Sequence, residues 1–295
     1  MTASQGRSGN RCPTVRGPTD RLPTTTFDQL QNLTYISRSA DRCTWRGHDC
    51  AFKRIEFDCD IRVLKDEITC RETLLAVMER DGLSGDQDPN IEMTRRFLVV
   101  PILAVVSGQT KPWKPGIVAG LLMPFSGHDL EILVREPDAT LPITESQLHD
   151  LARGVQQLSK CGVQHGDIKY WNTVLQPAMP EETEEKLVLI DLGTVAPEYD
   201  GDAKALGTLL LWCLEHAPAL RDDEGANARV VAAAAALVKE DFDGALGCFS
   251  AGDTRRDRVH LRAFHDGAYG RTVSLSIALQ PIAEFVVDRP SRRTC

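Results

Sequence analysis

The stretch HGDIKYWNTVL, residues 165–175, gathers a histidine, an aspartate, a lysine and an asparagine into eight positions and then turns apolar. Its surroundings decide how it is read. Upstream, Thr144 is placed to cap a helix over ESQLHDLARGVQQLSKCG, with Leu148, Leu151, Val155 and Leu158 on one stripe and Gly162 in the stop position. Downstream come a short strand in NTVLQP, an acidic turn EETEE and a second strand in KLVLIDLG. An amphipathic helix, a polar turn and a strand pair in that order bring Asp167, Asn172 and Asp191 towards one mouth. Trp171, inside the polar turn, is read as a packing residue, since aromatic side chains are mostly buried.

Composition narrows the function classes. At 295 residues, the chain holds one large domain or two small ones. A net charge of -8 argues against nucleic acid as a partner, because that binding relies on clustered Lys and Arg. Nine cysteines stand without a CxxC pair or zinc-ligand spacing, so they read as reduced thiols. The N-terminus lacks the apolar core of a signal peptide, and the apolar runs over residues 98–106 and 230–238 are too short to span a bilayer. The expectation is a cytoplasmic or nuclear protein with no membrane partner.

Residues 1–26, rich in Thr, Ser, Pro, Gly and Arg, read as a disordered tail. From Phe27 the pattern changes. LTYISRS and CAFKRIEF alternate as strands around the turn WRGHD, and Leu64, Ile68, Leu75 and Met78 mark a helix between Ile61 and Arg80, ended by the polar DGLSGDQDPN. FLVVPILAVV and GIVAGLLM read as paired strands. Helices are expected over residues 203–215 and 226–239, and the pattern weakens after Asp241. The fold class is α+β.

This order of elements and residues resembles the protein kinase superfamily, whose catalytic loop reads H-R-D-L-K-x-x-N and whose metal-binding turn reads D-F-G. Here they stand as His165-Gly166-Asp167-Ile168-Lys169-Tyr170-Trp171-Asn172 and Asp191-Leu192-Gly193. The resemblance runs over residues 33–215. It implies a two-lobed protein kinase-like fold: a small antiparallel sheet with one helix over residues 27–125, a mainly helical lobe over 126–288 and a tail at 289–295. It also implies ATP and Mg2+ as cofactors and a hydroxyl-bearing substrate. Asp167 would orient that hydroxyl and take its proton, Lys169 would steady the transferring group, and Asn172 and Asp191 would hold Mg2+. Such transfer asks mostly for positioning and charge neutralisation, which these polar groups can supply.

Further segments carry the same resemblance. Cys50-Ala51-Phe52-Lys53 resembles V-A-I-K, so Lys53 is implied to hold nucleotide phosphates and to pair with a glutamate on the inserted helix. Glu72 is favoured over Glu67, because one turn beyond Glu72 stands the apolar Ala76, whereas Arg71 stands beyond Glu67. LLMPFSGHDL resembles the inter-lobe link, which implies that Met123, Pro124 and Phe125 offer backbone groups to adenine. Asp202-Ala203-Lys204-Ala205-Leu206-Gly207 resembles D-V-W-S-L-G, whose aspartate anchors the catalytic loop.

The chain departs from the family in three places. Ser37-Arg38-Ser39-Ala40-Asp41-Arg42 has no glycine where the phosphate-covering loop would be. Gly166 replaces the arginine that receives an activation-loop phosphate. Only Thr194 and Val195 separate Asp191-Leu192-Gly193 from Ala196-Pro197-Glu198, a reach of about 7 Å, so no ordinary activation loop fits. Lys169 favours a Ser/Thr protein kinase-like activity. The short segment raises a small-molecule kinase as the alternative, and the missing glycines raise a pseudokinase acting as a binding or scaffolding module.

Overall fold

The computed structural model describes residues 22–82, 88–108, 117–136, 139–178 and 184–250, and its first strand lies in what the sequence marks as tail. Strand β1 (Thr24–Thr26) pairs in parallel with β5 (Ala104–Gly108), Thr24 opposite Val105. The Ser107 hydroxyl donates to the Thr25 carbonyl at 3.1 Å, the Trp45 indole N–H donates to the Thr25 hydroxyl at 3.1 Å, and Leu22 is buried. A boundary at residue 26 is therefore too late. A run of threonines carries no apolar alternation, and its partners come from distant segments. The rest of the expected tail, the C-terminal part of the expected helical lobe beyond residue 250 and the tail at 289–295 lie outside the described residues.

Among the described residues the chain is α+β, with a mixed six-stranded sheet, a two-stranded ladder and eight helices. The large sheet adds β2 (Gln31–Ser37), β3 (Ala40–Trp45), β4 (His48–Arg54) and β6 (Ile117–Pro124), in the order β1-β5-β6-β4-β3-β2. What the sequence suggests is one hairpin is a three-stranded meander with an added turn at Arg38 and Ser39. The next turn, at Arg46 and Gly47, has φ of 51° and 81°, the positive pair that tight hairpins require.

Alternation sorts the sheet into two faces. Cys43, Cys50, Phe52, Ala104, Val106 and Leu122 pack on one, while Ile55, Val105 and Leu121 pack on the other with Leu64 and Ile68. The latter two belong to α1 (Asp58–Arg80), whose first turn is closed by Asp60, accepting from the Glu56 and Phe57 amides at 2.8 Å. A second helix, α2 (Pro89–Phe97), begins in the expected turn, runs through residues 91–96, for which the sequence raises no expectation, and ends at the first residue of the expected strand. Asp88 caps it by accepting from the Asn90 amide at 2.8 Å, and Leu98 ends it with φ of 52°. Of FLVVPILAVV, Phe97 and Leu98 go to the helix end, Val99 bridges to Leu189, and the strand begins only at Ala104.

The helical part comprises α3 (Leu130–Leu133), α4 (Glu145–Lys160), α5 (Asp202–His216), α6 (Pro218–Arg221), α7 (Glu224–Val238) and α8 (Phe242–Ser250), with the β7 (Thr173–Gln176) and β8 (Lys186–Leu189) ladder among them. Thr144 and Gln147 form a reciprocal cap on α4, at 3.3 and 2.8 Å. Its stripe of Leu148, Leu151, Val155 and Leu158 is wholly buried, at roughly 1.5–3 kcal/mol of transfer energy per side chain. The Val163 amide returns to the Leu158 carbonyl at 3.0 Å and closes the helix end. Helix α8 follows Asp241, where the sequence pattern is weak. No helix among the described residues is long and apolar enough to cross a membrane.

Candidate functional site

Strand alternation aims Lys53 at α1, since Phe52 points to the opposite face. Its Nζ lies 2.8 Å from Glu67 Oε2 and 2.7 Å from Asp191 Oδ1. Burial alone would lower the Lys53 pKa, but Asp191 and Glu67 outweigh it and hold the ammonium above its ordinary value. The glutamate partner is therefore Glu67, which corrects the preference for Glu72. Five positions along a helix turn a side chain by about 140°, so the two glutamates cannot serve one lysine from the same helix.

The premise behind that preference, that arginine would not occupy the buried position one turn on, also fails. Arg71 is 0% exposed. Its Nη2 lies 4.0 Å from Glu67 Oε1 and its Nη1 faces Met93 Sδ at 3.5 Å. Burial pulls the guanidinium down to about 10, with Glu67 opposing, so it remains charged at neutral pH. Lys53, Glu67, Arg71 and Asp191 thus form a cluster of two cations and two anions. An i,i+4 relation between Glu67 and Arg71 is the sequence signal that could have identified it.

Asp191 stands at the end of β8 with φ of +62°, a left-handed conformation that aspartate tolerates better than most residues. Burial pushes its carboxyl pKa up, and Lys53, with a smaller contribution from Lys169, pulls it below the ordinary value. Its side chain is 39% exposed. The neighbouring Gly193 has φ of 91°, and a Cβ there would fall 2.7 Å from Cys70 Sγ, so only glycine permits this approach of α1.

The loop of residues 165–172 enters from the other side. The Ile190 amide donates to the Asn172 carbonyl at 3.0 Å, which ties the loop to the residue before Asp191. The Asn172 Nδ2 donates to both the Asp167 carbonyl and Asp167 Oδ2 at 2.9 Å, and Lys169 Nζ also pairs with Oδ2. Two donors on Oδ2 leave Oδ1 as the oxygen open to a proton donor, and the amide orientation leaves the Asn172 side-chain oxygen as an acceptor. Lys169 Nζ sits 4.5 Å over the Trp171 ring, and Trp171 is 42% exposed rather than packed.

Asp202, at the start of α5, holds the front of the loop by accepting from the His165 and Gly166 amides at 2.7 and 3.0 Å. His165 receives the Asp167 amide on Nδ1 at 3.3 Å and sits 2.9 Å from the Ile190 carbonyl through Nε2, which fixes the Nε2–H tautomer. Burial lowers its pKa against the nearby carboxylates, so the ring is neutral. The segment after Asp191 then folds directly onto the loop. Gly193 and Ala196 amides donate to the His165 and Gly166 carbonyls at 2.8 and 3.0 Å. A Cβ on Gly166, whose φ is 89°, would lie 2.8 Å from the Thr194 carbonyl. The missing arginine and the short segment are one feature: the segment occupies the space a side chain at 166 would need.

Lys53, Asp167 and Asp191 line one cleft of about 160 Å³ with Ser39, Asp60 and Thr194. Met123, Pro124 and Phe125 are not among its lining residues. Met123 and Pro124 end β6, opposite Ala51 and Cys50, and Phe125 follows with its ring covered by the Arg42 guanidinium at 4.2 Å. Among the described residues no group of three or more His, Cys, Asp or Glu is placed to hold a metal by itself. Asn172, which is buried and not among the cleft's lining residues, and Asp191 each carry a hard oxygen of the kind Mg2+ prefers, and its coordination would need phosphate and water besides. No protein-family model matches the chain, and no curated protein sequence matches it.

Proposed function

We propose that the protein is a phosphotransferase of two-lobed protein kinase-like fold that uses Mg2+ and ATP to phosphorylate a hydroxyl. One observation carries the reading: Lys53 and Asp191, separated by 138 positions, form an ion pair in the cleft that Asp167 also lines. The charges there suit a triphosphate. Lys53 would exchange Asp191 for phosphate oxygens while Glu67 keeps it oriented. Mg2+ held by Asp191 and Asn172 would neutralise the phosphates during transfer. Asp167, through Oδ1, would receive the acceptor proton, and Lys169 would screen the moving group. Met123, Pro124 and Phe125 are assigned to the adenine by resemblance alone.

Two acceptor classes fit. Lys169 favours a Ser/Thr side chain, and the segment folded against Gly166 leaves little platform for a peptide, favouring a small-molecule hydroxyl. The second reading, a binding module without turnover, draws on the cleft itself. Its volume of about 160 Å³ is below the ~300–1,000 Å³ of ordinary ligand pockets, and Ser39 of the glycine-free turn is among the residues that line it. The test is a thermal shift with Mg-ATP followed by turnover of γ-labelled ATP in wild type and Asp167→Ala. The expected results are stabilisation by ligand and a turnover loss of roughly 10²–10⁴. Equal rates remove Asp167 from its role, and absent stabilisation leaves the binding-module reading.

A further inference from the structure

We infer that the Tyr199 hydroxyl is a positioning group that clasps the 165–172 loop, so that Asp167 is held in place by the unmodified chain without an added phosphate. The inference rests on the phosphotransferase reading and deepens it by assigning how the site is regulated. Tyr199 lies three residues before Asp202, and its O–H donates to Asp202 Oδ1 at 2.6 Å. The same oxygen accepts the Ile168 amide at 3.4 Å. A phenol can do both at once.

The result is a closed set of bonds around Asp167. The amide of Gly166, just before it, goes to Asp202. Its own amide goes to His165 Nδ1. The amide of Ile168, just after it, goes to Tyr199, which returns the connection to Asp202. Two of these three consecutive amides, those of Gly166 and Ile168, are fixed directly or through the hydroxyl by Asp202 at the start of α5, and the one between them by the His165 ring. The 191–202 segment that carries Tyr199 is itself bonded to the loop through Gly193 and Ala196. Burial, reinforced by Asp202, pushes the phenol pKa far above its ordinary value, so it stays a protonated donor. Nothing in this arrangement needs covalent modification.

Tyr199→Phe in the full chain removes the oxygen and keeps the ring. Ile168, which is buried, then has an amide without its acceptor, and losing such a bond raises local opening by about 5- to 10-fold. Amide hydrogen exchange over residues 165–172 reads this without nucleotide, and the expected result is an increase of that size. With Mg-ATP, kcat should fall by about 10-fold or more with KM for ATP within about 2-fold, because misplacing the proton acceptor affects the chemical step rather than nucleotide binding. Phosphatase treatment of wild type should leave kcat unchanged. Wild-type exchange in the variant, a proportional loss of kcat and ATP affinity accompanying a fallen melting temperature, or a phosphatase-sensitive kcat each overturns the inference. A wild type that exchanges slowly but never turns over ATP sinks the enzymatic reading alone, while the variant's exchange still decides the clasp.

Discussion

On the sheet side of the cleft, Lys53 is held by charge: Glu67 and Asp191 at under 3 Å, with Arg71 behind Glu67 at 4.0 Å. On the helical side, Asp167 is held mainly by a backbone whose amides end on Asp202, on a neutral His165 and on Tyr199. The two sides should fail differently. Removing one member of a buried charge cluster leaves its partners desolvated and uncompensated. Removing one hydrogen bond from a loop with several others lets it loosen by degrees.

The largest expected effect follows from the charged side. Lys53→Met leaves Glu67 and Asp191 without their shared cation and should cost about 3–5 kcal/mol of unfolding free energy in urea titration, along with Mg-ATP binding. Arg71→Met should cost much less, within about 2 kcal/mol, because Glu67 keeps Lys53 at 2.8 Å and loses only a 4.0 Å contact with a guanidinium of incomplete hydrogen bonding. Equal losses in the two variants would break the contrast. Next comes Gly166→Ala, where a left-handed φ and the Thr194 carbonyl at 2.8 Å oppose a Cβ, for a loss of about 1–3 kcal/mol seen as a lower melting temperature. Smaller again, Glu67→Gln should weaken Mg-ATP binding by about tenfold, or ~1.4 kcal/mol, with Glu72→Gln well below that. The reverse ranking would restore Glu72 as the partner of Lys53.

The smallest effect is one of pH. Burial holds His165 below its ordinary value of 6.5, so the unfolded chain binds the proton more readily than the folded one. Its contribution is fully present above 6.5 and is lost as pH falls from there towards the depressed folded value. Melting temperatures across that range should decline in wild type and decline less in His165→Gln. An identical slope in both would show that this ring does not titrate differently on folding.

Local signals were legible where the chain's own pattern suffices. The α4 stripe, its Thr144 cap and the strands around Asp167 and Asp191 could be read directly, because period and capping are properties of adjacent residues. What escaped depended on partners elsewhere. Thr24, Thr25 and Thr26 become a strand only because β5 offers an edge, and Asp88 with Pro89 starts a helix where the same residues read as a turn. The choice between Glu67 and Glu72 went wrong through a sound general rule, that arginine avoids the interior. A carboxylate one turn away relaxes that rule for Arg71. Tyr199 carried no signal at all, since its role exists only once the short segment lies against Gly166.

The central claim is that Lys53, Asn172 and Asp191 receive a magnesium nucleotide in one cleft. Calorimetric titration of ATP into wild type, Lys53→Met and Asp191→Asn, each with and without Mg2+, tests it most directly. The account predicts saturable binding in wild type that weakens sharply without Mg2+, little binding in Lys53→Met, and an Asp191→Asn variant whose affinity no longer depends on the metal. Nucleotide binding of equal strength in all three proteins, or none in wild type at millimolar ATP, would contradict it.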